Sequence, residues 1–145
     1  MNLHLTRRYH FCASHRLHSA QLGEEENRRV YGKCNNPFGH GHNYVVEVAV
    51  SGPVDRATGM IANLANLDAF VDREVIEPFD HTYLNEEVAA FREHVPTTEN
   101  LCIEIFNRLR EMPGEFPNAK LERVRVEETG LNSFEYMGEL NGSSQ

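Results

Sequence analysis

Apolar residues near the start of the chain fall on odd positions: Leu3, Leu5, Tyr9, Phe11 and Ala13 alternate with His4, Thr6, Arg8, His10 and Cys12. That period of two predicts a half-buried strand. A second such run, Tyr44, Val46, Val48 and Val50, begins after Gly41 and is closed by the turn residues Ser51-Gly52-Pro53. Between the two strands lies a long connection, roughly residues 18 to 39. Its first part, Glu24-Glu25-Glu26-Asn27-Arg28-Arg29, suits a short helix, whereas Lys33-Cys34-Asn35-Asn36-Pro37-Phe38-Gly39 has loop composition. Ordered connections of this length are often functional.

Further along, the period changes. Leu64, Leu67, Val71 and Val75 recur at three- and four-residue intervals until Pro78, and Leu101, Cys102, Ile105, Phe106 and Leu109 do so until Pro113-Gly114, which predicts two helices. Thr97 or Thr98 is placed to cap the second, with Glu99 in the first turn, where the helix dipole favours a carboxylate. Alternation then returns, with Val124 and Val126 opposite Arg123, Arg125 and Glu127, followed by Phe134 and Tyr136. The predicted order is β-β-α-α-β-β, an α+β domain.

With 145 residues the chain forms one domain, residues 1–145, ending in a short polar tail at 141–145. No stretch approaches the ~18 consecutive apolar residues of a membrane helix, and the polar start does not read as a signal peptide. The expectation is a cytoplasmic protein without a membrane partner. A net charge of −8 argues against a nucleic-acid partner. A local group such as Arg7, Arg8, Arg16 and Lys33 could still meet a phosphate. The three cysteines, without a Cys-x-x-Cys spacing, fit a reduced chain. Eight histidines are unusual for this length and direct attention to themselves.

His40-Gly41-His42 opens the second strand, where a period of two points both imidazoles to one face. His15 continues the inward parity of the first strand, so strand pairing would gather three imidazoles at one end of a sheet. Three histidines with an open fourth position suit a catalytic zinc, and separate half-exposed histidines are the alternative. Cys34, in a Gly/Asn/Pro loop beside Lys33, is open to three readings: a fourth ligand, a general base, or an ordinary loop thiol. Cys102, on a helix stripe, and Cys12, within a strand, are expected to pack in the interior. In Asp80-His81 a carboxylate stands where it can orient an imidazole, or the pair is surface turn chemistry. Glu128 shares parity with Val124 and Val126. It either meets a planar ligand offering two N–H donors or escapes to water at the strand end.

Several segments together resemble the 6-pyruvoyl-tetrahydropterin synthase family: Ser14-His15-Arg16-Leu17, Gly32-Lys33-Cys34-Asn35-Asn36-Pro37, Gly39-His40-Gly41-His42-Asn43-Tyr44, Asp55 to Met60, Asp80-His81, Thr97-Thr98-Glu99-Asn100 and Glu128-Thr129. They run in family order from about Arg7 to Glu139. The resemblance implies a tunnelling fold (T-fold): a four-stranded antiparallel sheet with two helices on one face, three subunits closing a twelve-stranded barrel, and two barrels stacking into a homohexamer. It implies His15, His40 and His42 as zinc ligands, and Cys34 as base with Asp80 and His81 of a neighbouring subunit. Glu128 is the implied anchor of the pterin ring, with Thr97, Thr98 and Glu99 near the same pocket.

The implied reaction converts 7,8-dihydroneopterin triphosphate to 6-pyruvoyl-tetrahydropterin and inorganic triphosphate. It is an internal redox that needs Zn2+, with Mg2+ a candidate companion of the triphosphate. It needs no nicotinamide, and no Gly-x-Gly-x-x-Gly fingerprint is present. Five residues separate Cys34 from His40, the longer spacing associated with the pyruvoyl enzymes. Phe38, where a polar residue is the family pattern, and Glu127, where an aromatic is common, depart from it. The alternatives are a 6-carboxy-tetrahydropterin synthase, a side-chain-cleaving variant, and a non-catalytic scaffold in which Cys34 closes the zinc sphere.

Overall fold

The computed structural model of the chain describes residues 2–139, so the polar tail at 141–145 lies outside the described residues. Strands β1 (Asn2–His15) and β2 (His40–Pro53) pair antiparallel along their whole length, Asn2 opposite Pro53 and His15 opposite His40. Later in the chain come β3 (Thr82–Tyr83), β4 (Lys120–Thr129) and β5 (Asn132–Tyr136). The sheet order is β3-β1-β2-β4-β5. The four long strands are those read from alternation. The extra one, β3, is two residues long and joins β1 in parallel beside Ala13 and Ser14. A pair of residues carries no period, so pattern reading had nothing to detect.

The connection after β1 holds α1 (Glu24–Tyr31) and a 3-10 turn (Gly32–Asn35). The first long helix is α2 (Leu64–Val71), continued by a π turn (Asp72–Ile76) and α3 (Glu77–Phe79). Pro78 therefore sits inside the helical run and does not stop it. Its missing N–H would have met the carbonyl of Glu74, and the Arg108 guanidinium approaches that oxygen at 3.4 Å instead. A short α4 (Leu84–Glu87) and a 3-10 turn (Ala89–Arg92) follow before α5 (Thr98–Leu109). Thr97 caps α5, its hydroxyl accepting from the Asn100 N–H at 3.2 Å.

The long helices lie on one face of the sheet. Phe11, Tyr44, Val46, Val48, Val124 and Val126 from the strands meet Leu67, Val71, Val75, Leu101, Ile105 and Leu109 from the helices in one buried cluster. Full burial of each such side chain is worth about 1.5–3 kcal/mol. Cys102 belongs to this core, and burial pushes its thiol up to about 12. Cys12 does not: its side chain is exposed on the opposite face, where the thiol donates to the Asn43 side-chain oxygen. The even parity of position 12 decides this against the packing expectation.

That opposite face carries charge. Arg8 lies across from Glu47, Glu47 from Arg125, and Arg125 from Glu135, a row of alternating sign over all four long strands. Arg8 and Arg125 reach Glu47 at 2.8 and 3.1 Å. Arg7 points to the helix side and forms a bidentate pair with Asp68. The four cations Arg7, Arg8, Arg16 and Lys33 are thus not one cluster. Among the described residues, no helix is long and apolar enough to cross a membrane.

Candidate active site

The end-to-end register of β1 and β2 sets His15 directly opposite His40 and leaves His42 on the same face two residues on. The turn into β2 is built for this approach. Gly39 has φ +74°, and a Cβ there would stand 3.0 Å from the His15 carbonyl oxygen, so a side chain is excluded on two counts. One ligand-capable atom from each of the three histidines lies within 4.8 Å of the others. Their rings meet edge to face, with centroids 4.6 to 5.0 Å apart.

His15 is fully buried. Its Nδ1 lies 2.8 Å from the carbonyl oxygen of Pro96, which can only accept, so Nδ1 carries the proton and Nε2 the lone pair. The Tyr44 hydroxyl stands 3.3 Å from the same nitrogen. The free Nε2 faces His40 Nε2 at 3.0 Å. Burial lowers the pKa of His15 to about 4, and burial likewise lowers that of His42. Both imidazoles are neutral at pH 7. His42 Nε2 is buried without any hydrogen-bond partner. Three neutral imidazoles, one with its tautomer fixed by a main-chain carbonyl and one with an orphaned nitrogen, make a donor set that fits a divalent cation.

Glu128 completes the cluster. One carboxylate oxygen lies 3.8 Å from Nε2 of both His15 and His42, and the same oxygen accepts from the buried Thr98 hydroxyl at 2.7 Å. Its strand parity had suggested either a ligand contact or an escape to water. The carboxylate turns inward and is held there by Thr98, which sets aside the escape to water and leaves the ligand contact open. Thr98 thus reaches the site through Glu128, Thr97 serves as the helix cap, and Glu99 is exposed on the first turn.

Cys34 is not part of the histidine group, so no cysteine closes the sphere of ligands among the described residues. Nor does it ride on a free loop. It belongs to the 3-10 turn, and its carbonyl accepts from the Leu17 N–H at 2.9 Å. The adjacent Asn35, itself buried, donates to the Leu17 carbonyl at 2.7 Å and to His18 Nδ1 at 3.0 Å, and its own carbonyl accepts from Arg16 Nε. Four contacts pin the turn to the segment that follows β1.

Asp80 and His81 occupy the turn between α3 and β3. The carboxylate lies 3.0 Å from His81 Nδ1 and also accepts from the Cys12 N–H, the contact that does most to hold its pKa below the ordinary range. His81 has φ +59°, unique among the described non-glycine residues, and its N–H donates to the Cys12 carbonyl. His81 and His42 line one recess of about 410 Å3 together with Cys12, Ser14 and Tyr83. No hydrogen bond joins Cys34 to either residue of the pair among the described residues. Sequence reasoning missed Pro96, which acts through its main chain and so leaves no trace in a residue pattern. It also missed Asn35, whose only signal was a polar doublet in a loop.

A helix-backed sheet with a three-histidine cluster and a carboxylate at its end defines a T-fold protein with a candidate metal site. The family model for 6-pyruvoyl tetrahydropterin synthase matches residues 4–139, and the chain belongs to that family. It is 45% identical over 137 residues to the 6-pyruvoyl tetrahydrobiopterin synthase of Poecilia reticulata, covering 94% of this chain and 90% of the relative. Against the human protein of that name it is 45% identical over 135 residues, covering 93% and 91%. The 6-pyruvoyl tetrahydropterin synthase structure from Caenorhabditis elegans superposes with a TM-score of 0.89 at 39% identity, covering 96% of this chain and 97% of that one.

Proposed function

We propose that the chain is a zinc-dependent lyase converting 7,8-dihydroneopterin triphosphate to 6-pyruvoyl-tetrahydropterin with release of inorganic triphosphate. The observation that carries this reading is the convergence of His15, His40 and His42 beside Glu128, in a chain of this family. His15, His40 and His42 are the residues that would hold the metal, which would supply Lewis acidity to the side-chain oxygens of the substrate.

Each of the chain's own groups has a distinct task. Glu128, aimed by Thr98, accepts paired N–H donors of the pterin ring, with Thr97 and Glu99 at the rim of that pocket. Cys34, fixed in its turn by Asn35 and Leu17, takes a proton from carbon. Asp80 orients His81, which moves protons to and from the substrate hydroxyl carbons. Since no hydrogen bond joins Cys34 to the Asp80–His81 pair among the described residues of its own chain, the pair of a neighbouring subunit is assigned to it.

That assignment requires oligomers. Among the described residues, the edge of β1 away from β2 has no strand partner over residues 2–12, and β5 presents the other open edge. Closing both edges gives a trimeric twelve-stranded barrel, and two barrels make the homohexamer. Sedimentation reporting six chains supports it, and a stable monomer at micromolar concentration refutes it.

The decisive test is incubation of the purified protein with 7,8-dihydroneopterin triphosphate, followed by mass analysis of the product. Release of triphosphate with a three-carbon dicarbonyl side chain is the expected result. A 6-carboxy or side-chain-cleaved pterin would reassign the enzyme within the family, and no turnover in the presence of zinc would leave a non-catalytic scaffold whose metal is held without Cys34.

A further inference from the structure

A second cavity, of about 500 Å3, lies apart from the histidine cluster, and its walls include residues adjacent in sequence to His15 and Cys34. Arg16, Arg28 and Lys33 line it with His18, and Glu24 is the single carboxylate among its walls. In a protein of net charge −8 this is a local reversal of sign. Most other basic side chains of the chain are ion-paired, but none of these three has a carboxylate partner among the described residues.

Two of the donors, Arg16 and His18, are held in place before any ligand arrives. The main chain of Arg16 is gripped from both sides by Asn85, whose amide accepts from the Arg16 N–H at 2.8 Å and donates to its carbonyl at 2.7 Å. Its Nε is bound to the Asn35 carbonyl at 3.0 Å, which leaves the terminal nitrogens of the fork free. His18 Nδ1 accepts from the Asn35 amide at 3.0 Å, so its Nε2 is the N–H donor. Arg28 from α1 and Lys33 from the 3-10 turn are exposed. A planar fork, a mobile ammonium and an imidazole N–H around one cavity are the equipment for several phosphoryl groups in a row.

Position relates this cavity to the reaction. Lys33 and Asn35 flank Cys34 on either side, and Arg16 directly follows His15. We propose that the cavity lined by Arg16, His18, Arg28 and Lys33 is an anion subsite that takes a linear triphosphate. In the reading above, on which this rests for the ligand's identity, that group is the one the substrate carries and the reaction releases. The subsite would hold the triphosphate end while Glu128 holds the ring, so that the reacting side chain is stretched between two anchors across the histidines.

The test is calorimetric titration of the purified full chain with inorganic triphosphate, in the wild type, in the double variant Arg28→Ala/Lys33→Ala, and in Arg56→Ala as a cation outside the cavity. Both altered side chains of the double variant are exposed, so the fold should be kept, and circular dichroism checks this. Binding at least tenfold weaker in the double variant only, with a shallower dependence on salt, is the expected result. Equal affinity in wild type and double variant would overturn the subsite. So would an equal loss in Arg56→Ala, or orthophosphate binding as tightly as triphosphate. The two readings fail separately. A wild type that does not convert the pterin triphosphate but loses triphosphate on double substitution keeps the subsite and refutes the reaction. Normal turnover with unchanged triphosphate affinity does the reverse.

Discussion

The histidine cluster and the Cys34 turn are neighbours built on different principles. His15, His40 and His42 stand on two long strands whose ladder runs unbroken to their last residues, so main-chain hydrogen bonds fix the spacing of the imidazoles. The Cys34 turn has no ladder. Side-chain amides and a guanidinium, from Asn35 and Arg16, fasten it to the segment after β1. A ladder spreads its constraint over many residues, whereas a clamp concentrates it in one or two. The cluster should therefore fail only when a ligand itself is removed, and the turn when a non-reacting neighbour is.

Removing a ligand should have the largest effect. His42→Ala is expected to lose bound metal and with it all measurable turnover, while the ladder keeps the fold. Elemental analysis of the purified variant checks this, and wild-type metal content would remove His42 from the site. Cys34→Ala should come next, keeping metal and oligomeric state but losing turnover by about 10²- to 10⁴-fold, the share of a positioned acid–base group. Metal content and single-turnover rate on one preparation decide it. Loss of metal together with activity would mean that turn and cluster are one unit after all.

Acid separates the two regions in another way. The pKa of His15 is about 4 in the fold against an ordinary 6.5, because burial disfavours the imidazolium. Between these values the unfolded chain binds the proton and the fold does not. The contribution of neutral His15 to stability is therefore complete above 6.5 and lost as pH falls from 6.5 to 4, by up to about 3 kcal/mol. Urea unfolding of metal-free protein at pH 7 and pH 4 measures it, and a His15→Gln variant should lose this part of the pH dependence. The smallest expected effect belongs to the clamp. Asn35→Ala leaves the Leu17 carbonyl unpaired and should cost about 1–3 kcal/mol, with metal retained and turnover reduced. A thermal shift together with the reactivity of Cys34 toward an alkylating agent reads it, and an unchanged thiol would show that the turn holds itself.

The sequence alone determined much of this protein. Alternation and helical spacing are local properties, so the four long strands, the two long helices and the inward parity of His15, Tyr44 and Val126 follow directly from residue order. Parity also put the three histidines on one face, because a one-residue slip between β1 and β2 would turn an apolar set away from the helices, while the choice among registers two residues apart, which sets His15 opposite His40, came from the structure. Motif order across the chain carried the family. What only the tertiary structure decided has no period. The Pro96 carbonyl that fixes the His15 tautomer comes from 81 residues away. The helix passes through Pro78 by way of a π turn, and the guanidinium that approaches the unmatched Glu74 carbonyl comes from Arg108 on another helix. The inward turn of Glu128 depends on a hydroxyl from another element. The gathering of Arg16, Arg28 and Lys33, with Arg7 and Arg8 drawn off to Asp68 and Glu47, depends on which face each cation occupies. Each is a contact between segments whose separation in sequence leaves their distance in space undefined until the core has packed.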